Sequence, residues 1–426
     1  MTPNTRLKKK SFLVYGLGSS GQSVIKFFKK NNFKNFKVWD DKEKKLLKNY
    51  RTISLKKTLK QVNYIILSPG ISLIKNKILR KFKKKIITDI DLFFLTNKKF
   101  KSIVVTGTNG KSTTCKLLEH ILKKSKFKSL LGGNIGMPIL DLKGIKKNTY
   151  VIIEASSFQL SHSKFICPDF ALFLNLSNDH LDWHGNRKNY LEAKLKIFQH
   201  QKKSQYAIIN KKLKKDFLKK NFLSKLIIPN YEDYRRFKYK IKNDYLTSNI
   251  NDENMIFVYS LVKLLKVKKN LFLSAMKSFK GLSHRFEIFF KKKNITFIDD
   301  SKATSFTSSK LALSSLKNIY WILGGLPKRG DKFNVSKFKK NISKCYIIGN
   351  HSNFFKNQIK GKLPFFITKN LNNSLIKILK DLNNQDQTNK TVLLSPAAAS
   401  YDQFKNFEVR GKEFKRLSKI YGKKFI

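Results

Sequence analysis

The stretch Ile103-Val104-Val105-Thr106-Gly107-Thr108-Asn109-Gly110-Lys111-Ser112-Thr113-Thr114 limits the possible folds more than any other part of the chain. A β-branched apolar run enters a turn with two glycines, and Cys115, Leu117, Leu118, Ile121 and Leu122 then recur at helical spacing. The pattern predicts strand, tight loop and helix, with Lys111 and Ser112 in the first helical turn. Amides at a helix start carry positive partial charge and hold phosphate. Lys111 adds a point charge suited to β- and γ-phosphates, and the hydroxyl of Ser112 or Thr113 suits Mg²⁺. The common form of such a loop is G-x-x-x-x-G-K-[ST]. Val105 stands at its first glycine position, so this loop is a variant.

The rest of the chain repeats the logic of strands ending in polar or glycine turns, which predicts an α/β fold. A length of 426 residues suits two or three domains. Residues 11–97 read as a first α/β unit. Ser11–Tyr15 runs into Gly16-Leu17-Gly18-Ser19-Ser20-Gly21, and a second strand, Phe36–Trp39, ends at Asp40-Asp41. G-x-G-x-x-G after a strand, with an acid about 20 residues on, suits NAD or another nucleotide diphosphate, or merely a tight turn. A third strand, Val62–Leu67, ends in Ser68-Pro69-Gly70-Ile71. Residues 98–282 form the phosphate-loop unit. Gly132–Gly136 reads as a mobile polar loop. Tyr150–Ile153 is a strand with Glu154 at its end, the usual Mg²⁺ position downstream of such a loop. Phe170–Leu176 is a strand that delivers Asp179-His180-Leu181-Asp182-Trp183-His184, a cluster suited to ligation or proton transfer. Tyr190–Phe198 reads as a helix. Residues 283–426 form a third doubly wound unit, with strand ends at Asp299-Asp300, Gly324-Gly325, Gly349 and Ser395-Pro396.

A formal charge of +63 raises the question of nucleic acid. Lysines outnumber arginines 80 to 10 and are spread over the whole length, without an arginine-rich arm. Arginine is the residue suited to bidentate contacts with bases and phosphate. The charge therefore reads as compositional drift, with no specific nucleic-acid partner. No apolar run reaches the roughly 18 residues that span a bilayer, so no membrane is expected. Lys8-Lys9-Lys10 before an apolar run suggests a signal peptide for a moment, but Gly16 and Gly18 interrupt it. Cys115, Cys167 and Cys345 offer neither a disulfide framework nor zinc spacing, as suits a cytoplasmic protein.

Taken together, these motifs resemble the Mur ligases, ATP-dependent amide-forming enzymes of peptidoglycan synthesis. The resemblance rests on Thr106–Thr113, Glu154, Asp179-His180-Leu181-Asp182, Ala193-Lys194-Leu195, Gly281–Glu287 and Asp300-Ser301-Lys302-Ala303-Thr304. The tail Leu394–Gly411, with Asp402-Gln403-Phe404-Lys405-Asn406-Phe407-Glu408-Val409-Arg410-Gly411, resembles members that add D-glutamate to UDP-N-acetylmuramoyl-L-alanine. The resemblance covers nearly the whole chain, and the family shares the variant loop. Other readings are a different Mur or folylpolyglutamate-type ligase, which should lack the tail motif, or a basic nucleic-acid-associated protein.

The resemblance implies three domains: Rossmann-like for the UDP-sugar (1–97), P-loop-type for ATP (98–282) and Rossmann-like for D-glutamate (283–426). It sets NAD aside and assigns Ser19, Ser20, Asp40, Gly70 and Asn134 to the UDP-substrate. It gives ATP the residues Gly107, Thr108, Asn109, Gly110, Lys111, Ser112, Thr113, Asn251, Asn254, Arg285 and Asp300. D-Glutamate takes Thr304, Lys328, Ser400 and Phe407. Lys111, Glu154, His180 and Lys194 are the catalytic set. Two Mg²⁺ sites use Ser112, Thr113, Glu154, His180 and Lys194, the last as a CO₂-derived carbamate. A monomer is expected. Ile250 stands where the family has a histidine before Asn251, Lys42 where it often has arginine, and Ala398 where cysteine is frequent.

Overall fold

The computed structural model describes residues 3–42, 48–97, 99–177, 179–249, 251–328, 330–382 and 388–425. The chain divides into two compact units: Met1–Thr247 with Asn251–Phe279, and Lys280–Ile426 with Ser248–Ile250. The first unit carries two sheets and the second carries one.

The first sheet has β1 (Phe12–Tyr15), β2 (Phe36–Trp39), β3 (Tyr64–Leu67) and β4 (Ile86–Ile87) in the order β2-β1-β3-β4, all parallel. Every residue of β1 is buried, as a central parallel strand covered on both faces requires. Phe12, Val14, Val24, Ile25, Phe28 and Phe33 fill one face. The helix Ser19–Lys30 starts against the end of β1. A Cβ on Gly21 would lie 1.9 Å from the Gly16 carbonyl oxygen, so only glycine allows this approach.

The second sheet has β5 (Lys101–Thr106), β6 (Ser129–Gly133), β7 (Tyr150–Glu154), β8 (Phe170–Phe173), β9 (Tyr206–Ile209) and β10 (Lys225–Ile227). Their order is β10-β9-β8-β5-β7-β6, again all parallel. The phosphate-loop strand is central, flanked by the strand that ends in Glu154 and the one that leads to Asp179. Three local readings need correction. Gly132 and Gly133 close a strand, with Gly133 N bonded to the Met137 carbonyl, rather than opening a polar loop. β8 stops at Phe173, because Asn175 turns into the phosphate loop. The expected helix over 190–198 starts earlier, at Arg187, and tightens into a 3₁₀ turn at Lys196–Phe198.

These two sheets are stitched together by buried polar groups. Asp91 accepts from the amides of Lys164 (2.9 Å) and Phe165 (2.8 Å), and Thr88 Oγ1 meets Ser163 Oγ at 3.0 Å. Ser23 donates to Asp141 at 2.8 Å.

The second unit holds β11 (Glu287–Lys292), β12 (Ile295–Asp299), β13 (Ile319–Gly324), β14 (Ile342–Ile348), β15 (Phe365–Lys369) and β16 (Lys390–Leu394). The order is β11-β12-β16-β13-β14-β15, parallel except for the antiparallel edge strand β11. The helix Phe407–Phe425 packs Phe414 and Leu417 into this core.

Candidate active site

β5 delivers Thr106, whose hydroxyl donates to the Ala155 carbonyl at 2.9 Å. The loop then turns at Gly110, with φ of +80°. A Cβ there would lie 2.0 Å from Asn254 Oδ1, so glycine is required both sterically and conformationally. Lys111 curls back over the loop, and its ammonium donates to the carbonyls of Gly107 and Thr108, both at 2.8 Å. Ser112 and Thr113 are buried in the first turn of the helix Lys111–Lys124. Asn251 and Asn254 are buried behind that turn. Asn254 donates to Asn251 Oδ1 at 3.2 Å, and Asn251 to the Tyr245 carbonyl at 2.8 Å. Ile250 lies outside the described residues.

Sequence reasoning missed the clamp on this loop. Asn175 Oδ1 accepts from the amides of Thr108 (3.1 Å) and Asn109 (2.9 Å), and its side-chain amide reaches the Asn109 carbonyl and Glu253. Asn210 holds the other Glu253 oxygen at 2.8 Å. Burial raises the Glu253 carboxyl above its usual value, against the lowering effect of these two amides. The Thr108 and Asn109 amides therefore face Asn175. Asn175→Ala should cost roughly 1–3 kcal/mol of stability in urea unfolding, since it strands the Asn109 amide and one Glu253 oxygen together, while the Thr108 amide keeps the backbone carbonyl of residue 175 at 3.0 Å. A loss below about 0.5 kcal/mol would mean that water replaces the clamp without penalty.

Lys194 is 1% exposed. Its amine donates to the same Gly107 carbonyl that Lys111 uses, at 2.7 Å, and lies 4.7 Å from the centre of the Tyr190 ring. Burial, with the nearby Lys111 charge adding to it, holds the Lys194 amine well below the usual lysine range. Glu154, at the end of β7, is also buried. Its Oε1 accepts from Asn134 at 2.7 Å, while Oε2 has no hydrogen-bond partner among the described residues. An unsatisfied buried carboxylate oxygen fits a cation ligand. His180 has a left-handed backbone (φ +53°), which aims its ring at Phe158, 4.7 Å away between centroids. Asp179 lies 3.5 Å from His180 Nε2. His184, expected only as part of this cluster, is buried against Ser157 Oγ at 3.0 Å, and burial pushes its pKa down to about 4. It packs beside Tyr190, whose hydroxyl meets Thr108 Oγ1 at 3.1 Å.

Ser19, Ser20, Asp40, Gly70 and Asn134 come together around one cleft of about 530 Å³, with Lys42, Ser68 and Gln159 in the same wall. Asp40 accepts from the Leu17 amide at 2.7 Å and from the Lys42 amide at 2.8 Å, which fixes the rim. Because Asn134 also holds Glu154, this cleft adjoins the phosphate-loop site within the same unit.

In the second unit, Thr304, Lys328 and Ser400 follow β12, β13 and β16, three neighbouring strands, so they share one sheet edge. Leu326 and Ala399 pair across it through two backbone bonds of 2.8 and 3.0 Å. Phe407 starts the last helix, with the Lys302 ammonium 3.7 Å from its ring centre. Arg410, one residue of the tail motif in the sequence, is 1% exposed and donates to Ser301 Oγ, the Ser301 carbonyl and the Ala398 carbonyl. It therefore ties the Asp300–Thr304 turn to the Ala397–Ser400 turn. Asp300 accepts from Ser395 Oγ at 2.7 Å and the Phe286 amide at 3.1 Å; burial pushes its carboxyl up to about 7, and Arg285 partly offsets this. His284, Glu287 and Asp299 cluster closely enough for a metal, but Lys415 already supplies a cation 2.6 Å from Glu287.

Comparison with known proteins identifies the family. The family model for the Mur ligase middle domain matches residues 105–274, and that for the MurD-like N-terminal domain of Mur ligases matches residues 10–88. The UDP-N-acetylmuramoylalanine–D-glutamate ligase of Rickettsia prowazekii (strain Madrid E) is 35% identical over 97% of this chain and 98% of its own length. The protein of the same name from the Wolbachia of Brugia malayi (strain TRS) is 33% identical over 97% of each. The fold is shared with the crystal structure of MurF from Thermotoga maritima in complex with ADP (TM-score 0.59, 16% identity, 98% and 99% covered). It is also shared with MurC from the same organism (TM-score 0.57, 17% identity, 96% and 99% covered). Identity above 30% across almost the entire length shows that the chain belongs to the Mur ligase family.

Proposed function

We infer that this chain is an ATP-dependent ligase that joins D-glutamate to UDP-N-acetylmuramoyl-L-alanine in peptidoglycan precursor synthesis. Identity to ligases of that name over nearly the whole chain carries the reading, and the tail from Leu394 to Gly411 supports the D-glutamate specificity. Residues 1–97 bind the UDP-sugar in the cleft around Ser20 and Asn134, residues 98–282 bind ATP, and residues 283–426 bind D-glutamate at the edge carrying Thr304, Lys328 and Ser400. The enzyme works in the cytoplasm, where its nucleotide substrates are, and as a monomer.

Condensing a carboxylate with an amine in water is uphill, and ATP supplies the drive. The L-alanyl carboxylate attacks the γ-phosphorus, ADP leaves, and an acyl phosphate forms. The D-glutamate nitrogen then attacks that carbonyl carbon and expels phosphate. The first step brings two anions together, so catalysis is mainly electrostatic. Lys111 and the amides at the start of its helix hold the phosphates. Glu154, through its unpaired oxygen, would hold Mg²⁺ with Ser112 or Thr113. His180 and Lys194 would hold a second ion, with Lys194 as a carbamate, because an amine that donates to the Gly107 carbonyl cannot ligate a cation. Bound Mg²⁺ supplies charge neutralisation between the carboxylate and the γ-phosphate. Lys328 pairs with a substrate carboxylate, Thr304 and Ser400 orient it, and Phe407 forms a wall.

Phosphate release tests the reading directly. With ATP, Mg²⁺ and UDP-N-acetylmuramoyl-L-alanine, D-glutamate should support turnover at least about 10²-fold faster than L-glutamate, the discrimination expected where a wrong isomer leaves buried polar groups unpaired. Equal rates with the two isomers, or turnover with neither, would remove it.

A further inference from the structure

Thr304 and Lys328, two of the contacts assigned to D-glutamate, follow β12 and β13 and sit on separate turns. Each turn has its own internal support. The Thr304 turn runs into the helix Phe306–Ser315, whose N-cap, Ser305, accepts from the Ser308 amide through its side chain. The Lys328 turn closes with a bond from the Asp331 amide to the Lys328 carbonyl at 3.1 Å. Gly330 stands in that turn with φ of +77°, a backbone that favours glycine.

One side chain joins the two turns. Asp331 Oδ2 accepts from the Phe306 amide at 2.9 Å. Phe306 is the first residue of its helix, so its N–H has no partner within the helix, and a carboxylate there also meets the positive end of the dipole. Ser305 already caps the helix, so the Asp331 bond is not required to start it. What the bond adds is a link across 25 residues that sets the Lys328 turn against the Thr304 turn. The buried rings of Phe306 and Phe333 join the same two segments, with centroids 4.4 Å apart and planes 11° apart, and Phe333 N donates to Gln358 Oε1 at 3.1 Å. This stack keeps the segments together without Asp331. It does not fix their mutual orientation as a directional hydrogen bond does.

We propose that Asp331 is a positioning residue for D-glutamate: its bond to the Phe306 amide holds the Lys328 ammonium and the Thr304 hydroxyl at a spacing from which both reach one substrate carboxylate. The proposal rests on the assignment of Thr304 and Lys328 to D-glutamate. Asp331 acts through the Lys328 turn. Lysine needs such support, because a point charge on a flexible four-carbon stem has no fixed geometry of its own.

Steady-state kinetics with each substrate varied in turn reads the effect. Asp331→Ala should raise KM for D-glutamate roughly 10–100-fold, the scale of one misplaced contact between charged groups. Its kcat should stay within about threefold of the wild type, and KM for ATP and for UDP-N-acetylmuramoyl-L-alanine should not change. Asp331→Asn keeps an acceptor oxygen for the Phe306 amide and should hold KM for D-glutamate within about threefold of the wild type. Both variants should keep their thermal midpoints within about 4 °C, since the Phe306–Phe333 stack remains. Adding Asp331→Ala to Lys328→Ala should raise KM no further than Lys328→Ala alone, because the two act as one unit. A wild-type KM in Asp331→Ala, an equal rise in KM for all three substrates, Asp331→Asn as impaired as Asp331→Ala, or effects of Asp331→Ala and Lys328→Ala that multiply would each overturn the positioning role and leave the Lys328 assignment standing. Lys328→Ala with the wild-type KM for D-glutamate removes that assignment and the proposal together.

Discussion

Lys111→Ala is expected to lower kcat/KM for ATP by roughly 10²–10⁴, equivalent to about 3–5 kcal/mol of transition-state stabilisation. The size follows from what the group does. In the first step a carboxylate approaches a γ-phosphate, and negative charge accumulates above the loop. The Lys111 ammonium is held there by two backbone carbonyls at 2.8 Å, which set its position without neutralising it. A neutral methyl group removes that attraction and leaves the Thr108 carbonyl without its ammonium partner, while the Gly107 carbonyl keeps Lys194. Lys111→Arg should recover only part of the rate, because a planar fork cannot take both carbonyls and a phosphate in the geometry of a point charge. The variant should fold, since the half-buried Lys111 side chain lies over the loop and belongs to no hydrophobic core, and its thermal midpoint checks this. A loss below tenfold in kcat/KM, with the fold intact, would show that the helix-start amides and bound cation carry the phosphates alone.

Much of this site is legible in the sequence because it is local. The phosphate loop is one contiguous segment, so strand, turn, Gly110 and Lys111 announce themselves through spacing. The strand ends at Glu154, Asp300 and Ser395 are readable for the same reason. What escapes notice depends on long-range pairing. Asn175 clamps Asn109 across 66 residues, and nothing in the run Phe170–Leu176 marks where the strand stops and the clamp begins. Thr304, Lys328 and Ser400 share an edge only because β16, last in the chain, inserts between β12 and β13. Lys194 is hidden by composition: among 80 lysines, near-complete burial, at 1% exposed, sets it apart, and a sequence does not display burial. Arg410 carries a signal in the sequence itself. In a chain that uses lysine for nearly every cation, one of only ten arginines reflects a need for the rigid guanidinium fork, and its three hydrogen bonds to two turns supply that reason.

Lys194→Ala should abolish turnover, by at least about 10³-fold, and short carboxylates such as formate or acetate should restore part of it. Two observations lead there. The amine is fully enclosed, and it shares the Gly107 carbonyl with the Lys111 ammonium, so a second positive charge at this point is disfavoured. The neutral form is thereby favoured over that of an exposed lysine, and a neutral amine is the form that attacks CO₂. Its lone pair bonds to the carbon, a proton leaves to solvent, and the product is a carbamate anion. That anion is compatible with the neighbouring Lys111 cation, whereas the ammonium is not, so the same electrostatics that destabilise the amine's charged form favour the product. Truncation to alanine opens a space beneath Tyr190 that a small carboxylate can enter to supply the missing negative charge. Lys194→Arg is the decisive comparison. A guanidinium cannot react with CO₂, stays charged and leaves no space, so it should be inactive and resistant to rescue. Lys194→Ala retaining the wild-type rate, or rescue of Lys194→Arg as effective as that of Lys194→Ala, would show that the buried amine serves the loop only as a hydrogen-bond donor to Gly107.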